Sequence, residues 1–159
     1  MILRAAAAGL CCVALFTGCG GDDDGDKAGY ERALNTFCSA MEKGTAKVQA
    51  DSAKLQSGGS RDPRQLVKGI GGVLGTFATT MERAVTKLRD VDVPGDYERF
   101  NTDVVNGVND LVGKLREAAK QARAGDVRGV QALSSSLKGE LPGLPTDLAK
   151  KAPACGRIS

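Results

Sequence analysis

The feature that most restricts the fold is an apolar rhythm that runs through long stretches of the chain and halts at proline and glycine. Tyr30, Leu34, Phe37, Met41, Val48 and Leu55 follow one another at intervals of three, four or seven residues. At 3.6 residues per turn such positions share one face of a helix. The stretch begins near Lys27 and ends at Gly58-Gly59-Ser60. A second one opens with Asp62 and Pro63, an N-cap followed by the residue whose fixed φ suits the first helical position. Its stripe is Leu66, Ile70, Val73, Phe77, Met81, Ala84, Leu88 and Val91, and Pro94-Gly95 closes it.

A third stretch covers about Asp96 to Ala124, with Tyr97, Phe100, Val104, Val108, Leu111, Leu115, Ala118 and Ala122 in line. Gly125-Asp126 then supplies a stop and a new cap. A shorter fourth stretch, Val127 to about Lys138, turns Val130, Leu133 and Leu137 inward. Pro142, Gly143 and Pro145 break the chain before a last turn or short helix at Thr146–Lys151. Long helices joined by short turns become antiparallel neighbours. The pattern predicts an all-α domain over residues 27–159, an antiparallel up-down four-helix bundle with a short C-terminal turn or helix. Only 4% of the residues are aromatic and tryptophan is absent, so the core must come from Leu, Val, Ile, Ala and Met. That palette suits helix packing better than a β-sandwich.

Ahead of the domain, Arg4 precedes an unbroken apolar run of 12 residues, Ala5 to Phe16. A bilayer core takes about 20 such residues, so the run has the size of a signal-peptide core, not of a membrane span. The segment Leu15-Phe16-Thr17-Gly18-Cys19 that ends it resembles the lipobox of bacterial lipoproteins, with Phe16 where leucine is usual. The resemblance implies that residues 1–18 are a signal peptide, cut just before Cys19. Cys19 would carry a thioether-linked diacylglycerol, often with a further acyl group on its amine. It thus implies a protein anchored by lipid to the extracytoplasmic face of the cell membrane. Two long acyl chains suffice for such anchoring where one is marginal. Residues 19–26, Cys-Gly-Gly-Asp-Asp-Asp-Gly-Asp, then read as lipidated cysteine and acidic flexible tether, because glycine and self-repelling aspartates favour an extended chain.

If that processing occurs, Cys11 and Cys12 leave with the signal and Cys19 is alkylated. Cys38 and Cys155 remain, an even pair in an oxidising compartment, and a disulfide between them is expected. A catalytic redox pair would more often stand as Cys-x-x-Cys. The up-down order independently returns the C-terminus to the end of the bundle where Cys38 lies.

Chemistry is restricted by what the chain lacks. It contains no histidine, which excludes a Ser-His-Asp triad, a Cys-His pair and histidine-ligated zinc or haem. No cofactor is expected. The acidic tether does not make a calcium loop, because in the register beginning at Asp22 the obligatory glycine position holds Lys27. Gly69, Gly71, Gly72 and Gly75 crowd the second helix without matching a phosphate-loop pattern. They imply close approach of a neighbouring helix, a bend, or a groove for an apolar ligand. Asp103, Asp110 and Glu117 repeat every seven residues beside Lys114, the pattern of a solvated face with local ion pairs. The chain has 22 Lys and Arg against 19 Asp and Glu, with Asp22, Asp23, Asp24 and Asp26 in the tether. The domain itself is therefore mildly basic, suited to anionic lipid or wall polymer. Nucleic acid is not expected as a partner, since the cations are dispersed and stacking aromatics are scarce.

Phe37-Cys38, Pro94, Gly125-Asp126 and Cys155-Gly156 together resemble small helical lipoproteins of high-GC bacteria, a likeness that implies fold and location only. The expectation is a non-enzymatic module that binds an envelope protein, lipid or wall polymer. A small-molecule or lipid carrier with a cleft between helices one to three is the first alternative. An enzyme built on carboxylates or on Tyr30 and Tyr97 is the second.

Overall fold

The computed structural model describes residues 23–58, 62–129, 131 and 142–157. The expected signal peptide and Cys19 lie outside the described residues, as do Gly20, Gly21 and Asp22 of the tether and Val130, Leu133 and Leu137 of the fourth stretch. All regular structure among the described residues is helical. Three long helices dominate: α1 (Asp23–Ser57), α2 (Pro63–Arg89) and α3 (Glu98–Arg123). A 3₁₀ turn at Gly95–Tyr97 leads into α3. The short helix α4 (Thr146–Lys151) and a 3₁₀ turn at Cys155–Arg157 close the chain.

The local signals act where the sequence places them. The Asp62 side chain accepts the Arg64 N–H at 2.9 Å, and Pro63 takes the first helical position of α2. Gly125 adopts φ +82°, where a side chain would be strained. The Gly125 N–H donates to the Ala122 carbonyl and the Asp126 N–H to the Gln121 carbonyl, the pair of bonds that satisfies the last carbonyls of a helix in a Schellman end. Asp126 then accepts the Arg128 N–H at 2.9 Å, so a new helical turn starts at Val127.

One boundary differs from expectation. α1 begins at Asp23, so Asp23–Asp26 form its first turn and the extended tether cannot reach Lys27.

The helices alternate in direction. A Cβ on Gly44 would touch Phe77 and Thr80, and one on Gly69 would touch Leu55, so α1 and α2 run antiparallel. Arg116 reaches Glu82 at 2.5 Å while Gly71 faces Ala119 and Arg123, so α2 and α3 do too. α2 therefore stands between two neighbours. Its buried residues, Val67, Gly71, Ala78, Met81, Ala84, Val85 and Leu88, form a wider band than the expected stripe. Leu66, Ile70, Val73 and Phe77 are only half-buried. The core includes the end shared by the start of α1, the end of α2 and the start of α3. Tyr30, Leu34, Met81, Leu88 and Val108 are buried there, together with Leu148 of α4.

Candidate functional site

Four places warrant comparison: the glycine-rich stretch, the cysteine pair, a polar cluster at one pole, and a groove between α1 and α2.

Three of the four glycines in the expected groove stand against neighbouring residues. A Cβ on Gly69 would stand 2.6 Å from Leu55 Cδ2. One on Gly71 would stand 2.9 Å from the Ala119 carbonyl oxygen and 3.0 Å from Arg123 N and Cγ. Gly75 is covered by the Arg123 guanidinium. The space left by three missing side chains is thus filled by Leu55 and Arg123, and α3 approaches α2 at the level of its backbone. Gly72 faces open space. The packing reading of this stretch accounts for Gly69, Gly71 and Gly75. The row Asp103, Asp110 and Glu117 is solvent-exposed. Asp110 pairs with Lys114 at 2.5 Å and Glu117 accepts from Gln121 at 3.0 Å, as a solvated helix face does.

Cys38 and Cys155 form a disulfide that links positions 117 residues apart, with their Cα atoms 4.9 Å from each other. Both cysteines are buried. The C-terminal segment is held beside the bond by further contacts. The Ala154 N–H donates to Asn35 Oδ1 at 3.0 Å, and the Arg157 guanidinium grips both Glu42 oxygens at 2.9–3.1 Å. Arg157 holds the Glu42 carboxyl below its ordinary range, through its hydrogen bonds first and its charge second. The arrangement fastens the chain end to α1 and keeps both sulfurs from solvent, as in a structural bond.

At the same pole, Tyr30 is fully buried and its hydroxyl donates to Asn101 Oδ1 at 3.3 Å. Its ring stacks on Tyr97 with centroids 5.7 Å apart, a geometry that contributes about 0.5–1.5 kcal/mol beyond area burial. Burial, aided by the nearby Tyr97, pushes the Tyr30 phenol up to about 12. The Tyr97 hydroxyl donates to Asp147 of α4, and the Lys27 ammonium lies 5.1 Å from the Tyr97 ring centroid. Lys27, Glu31, Tyr97, Asp147 and Lys151 together line a recess of about 370 Å³.

This is the convergence of ionisable groups that an enzyme reading demands, so the direction of each shift matters. The bond to Asp147 raises Tyr97, the bond from Tyr97 lowers Asp147, and the bond to Tyr97 raises Lys27. Each shift deepens the resting state: neutral phenol, ionised carboxylate, charged ammonium. General acids and bases work best with a pKa near the working pH, and all three are moved away from neutrality. Among the described residues no three Cys, Asp or Glu side chains gather as metal ligands.

A concavity of about 410 Å³ lies between α1 and α2. Phe37 and Ala84 make its floor, and Ala33, Ala40 and Val91 its apolar walls. The rim is polar: Thr36 on α1, and Thr80, Arg83 and Lys87 on α2. Both threonine hydroxyls donate to a carbonyl of their own helix, Thr36 to Arg32 at 2.8 Å and Thr80 to Thr76 at 3.1 Å. Arg83 and Lys87 are exposed and make no ion pair among the described residues. Sequence reasoning passed over this site because it sought a ligand where glycines removed side chains. The available signal was Ala33 and Ala40, two turns apart on the flank of α1, opposite a pair of cations one turn apart on α2.

No family model, curated protein or solved structure matches the chain.

Proposed function

We propose that this protein is a non-enzymatic binding module of the cell envelope, anchored to the outer face of the membrane by lipid on Cys19, with the α1–α2 groove as its binding face. The observation that carries the reading is the groove itself: an apolar floor under two cations that lack partners among the described residues. Such a site can hold a ligand by burial and charge. The lipobox likeness of residues 15–19 supports the anchor. The Cys38–Cys155 bond supports an oxidising compartment, since such bonds are rare where thiols are kept reduced. Among the described residues no helix is long and apolar enough to cross a membrane, so any attachment through them would need another device.

The proposal extends to the fold. Residues 127–138 continue as a shorter fourth helix that completes an antiparallel up-down bundle. The new cap at Asp126 and the helical turn at Val127–Gly129 support it.

The mass of the mature protein extracted from membranes, measured with and without reductant, tests the anchor. Cleavage before Cys19, added diacylglycerol and a gain of two hydrogens on reduction are expected. Recovery of the protein from the medium with an unmodified residue 19 would overturn the membrane reading.

A further inference from the structure

The α1–α2 groove restricts what can occupy it. Its lining runs from Thr80 to Lys87 along α2, with Val91 just beyond the end of that helix, and from Ala33 to Ala40 along α1. At 1.5 Å rise per residue the helical part of each wall is about 10 Å long. The 410 Å³ present falls in the range of small-molecule sites, about 300–1,000 Å³, and an extended hydrocarbon chain can lie along its apolar walls. The polar groups are selective. No lining residue is acidic, and both charged ones, Arg83 and Lys87, are cations. They stand one turn apart on one wall, where side chains at i and i+4 are neighbours. The floor beside them is Phe37 and Ala84.

Resting on the reading of this groove as the binding face, we propose that its ligand is a free fatty-acid anion, with the hydrocarbon chain along Phe37, Ala84 and Val91 and the carboxylate between Arg83 and Lys87. Burial of the chain supplies affinity at about 25 cal/mol for each Å² removed from water. The two cations supply selectivity, since an anionic head gains from both and a cationic head is repelled by both. Neither cation loses an ion pair described in the structure when it turns to the ligand.

The test uses the chain carrying Cys19→Ser behind a conventional cleavable secretory signal, so that it has no acyl anchor and needs no detergent. Dodecanoate and dodecyltrimethylammonium, each below its micelle-forming concentration, are titrated calorimetrically. Saturable one-to-one binding of dodecanoate is expected, with the ammonium probe at least tenfold weaker. The exposed pair Arg83→Gln/Lys87→Gln should weaken dodecanoate at least tenfold, a change of about 1.4 kcal/mol, and bring the two probes closer together. Ala40→Phe, which fills the groove, should abolish binding of both. Equal binding of the two probes, or dodecanoate binding unchanged in the charge variant, overturns the proposal whatever becomes of the folding of Ala40→Phe. A photo-crosslinker at position 36 separates this failure from failure of the groove as a binding face. Crosslinking to a protein partner or to a second copy, without dodecanoate binding, removes the fatty acid and keeps the groove. No adduct and no titration removes both.

Discussion

Gly71 and Gly72 stand side by side in α2, and alanine should act in opposite directions at the two. Each replacement removes the same backbone penalty, about 0.8–1.0 kcal/mol for glycine against alanine in a helix interior. At Gly72 a methyl group meets nothing within 4 Å and points to solvent, so Gly72→Ala should stabilise the protein by about 1 kcal/mol. At Gly71 it would lie 2.9 Å from the Ala119 carbonyl oxygen and 3.0 Å from Arg123 N. Those are backbone atoms of α3, so relief requires moving a helix and not a side chain. Overpacking of this kind costs about 1–3 kcal/mol. The net change for Gly71→Ala runs from about zero to a loss of about 2 kcal/mol, and the gap between the variants reads the steric cost alone. Urea unfolding of the disulfide-bonded protein measures it as a difference in midpoint at constant slope. In thermal melts the gap should span at least about 2–4 °C for a chain of this size. Equal stabilisation by both variants would refute the close approach of α2 and α3 and restore the glycine stretch as open space.

Other outcomes follow from the same structure. Reduction of Cys38–Cys155, or the double Cys→Ala variant, should cost up to about 5 kcal/mol on the chain-entropy model for a closure of this length; an unfolding midpoint unmoved by reductant would contradict it. Above the ordinary tyrosine pKa of about 10, the unfolded chain ionises its phenols while Tyr30 and Tyr97 stay neutral in the fold. Stability should therefore hold below pH 10 and decline as pH rises toward 12, the value for Tyr30. Phenolate absorbance reads this directly, because these are the chain's two tyrosines and it has no tryptophan; native and denatured titrations that coincide would contradict the burial of Tyr30. Asp62→Ala should lose about 1 kcal/mol with the cap of α2, and Asp62→Asn should recover most of it. Loss of the same size in both would show that the carboxylate's charge, and not its hydrogen bond, matters.

What the sequence discloses about this fold is mostly local. Asp62 with Pro63, and Gly125 with Asp126, act through bonds to residues at most five positions away, so their role needs no knowledge of the tertiary neighbours. The disulfide is also legible, but through compartment and connectivity: the order of the helices brings the chain end back to Cys38. The start of α1 is not legible by the same rules. Intrinsic propensity disfavours the Gly- and Asp-rich stretch at 23–26, so a reading from propensity starts the helix at Lys27.

The errors in α2 and the silence about the groove share one cause. An apolar stripe states which way a helix faces on average. A helix with a neighbour on each side has two faces, so the average falls between them: Ile70 and Phe77 lean toward one side, Gly71 and Ala78 toward the other. Small residues such as Gly71 and Ala78 carry little hydrophobic weight, and the flank packed most tightly is the one a stripe underrates. The groove inverts this relation. Ala33, Ala40 and Ala84 are small because nothing described on this chain fills the space beside them, while Gly71 and Gly75 are small because Arg123 does. Missing volume has the same appearance in a sequence whether a neighbouring helix or empty space adjoins it. The cations decide between the two cases. Arg123 lies over its glycines, whereas Arg83 and Lys87 stand at the edge of the open groove with no counter-ion described beside them.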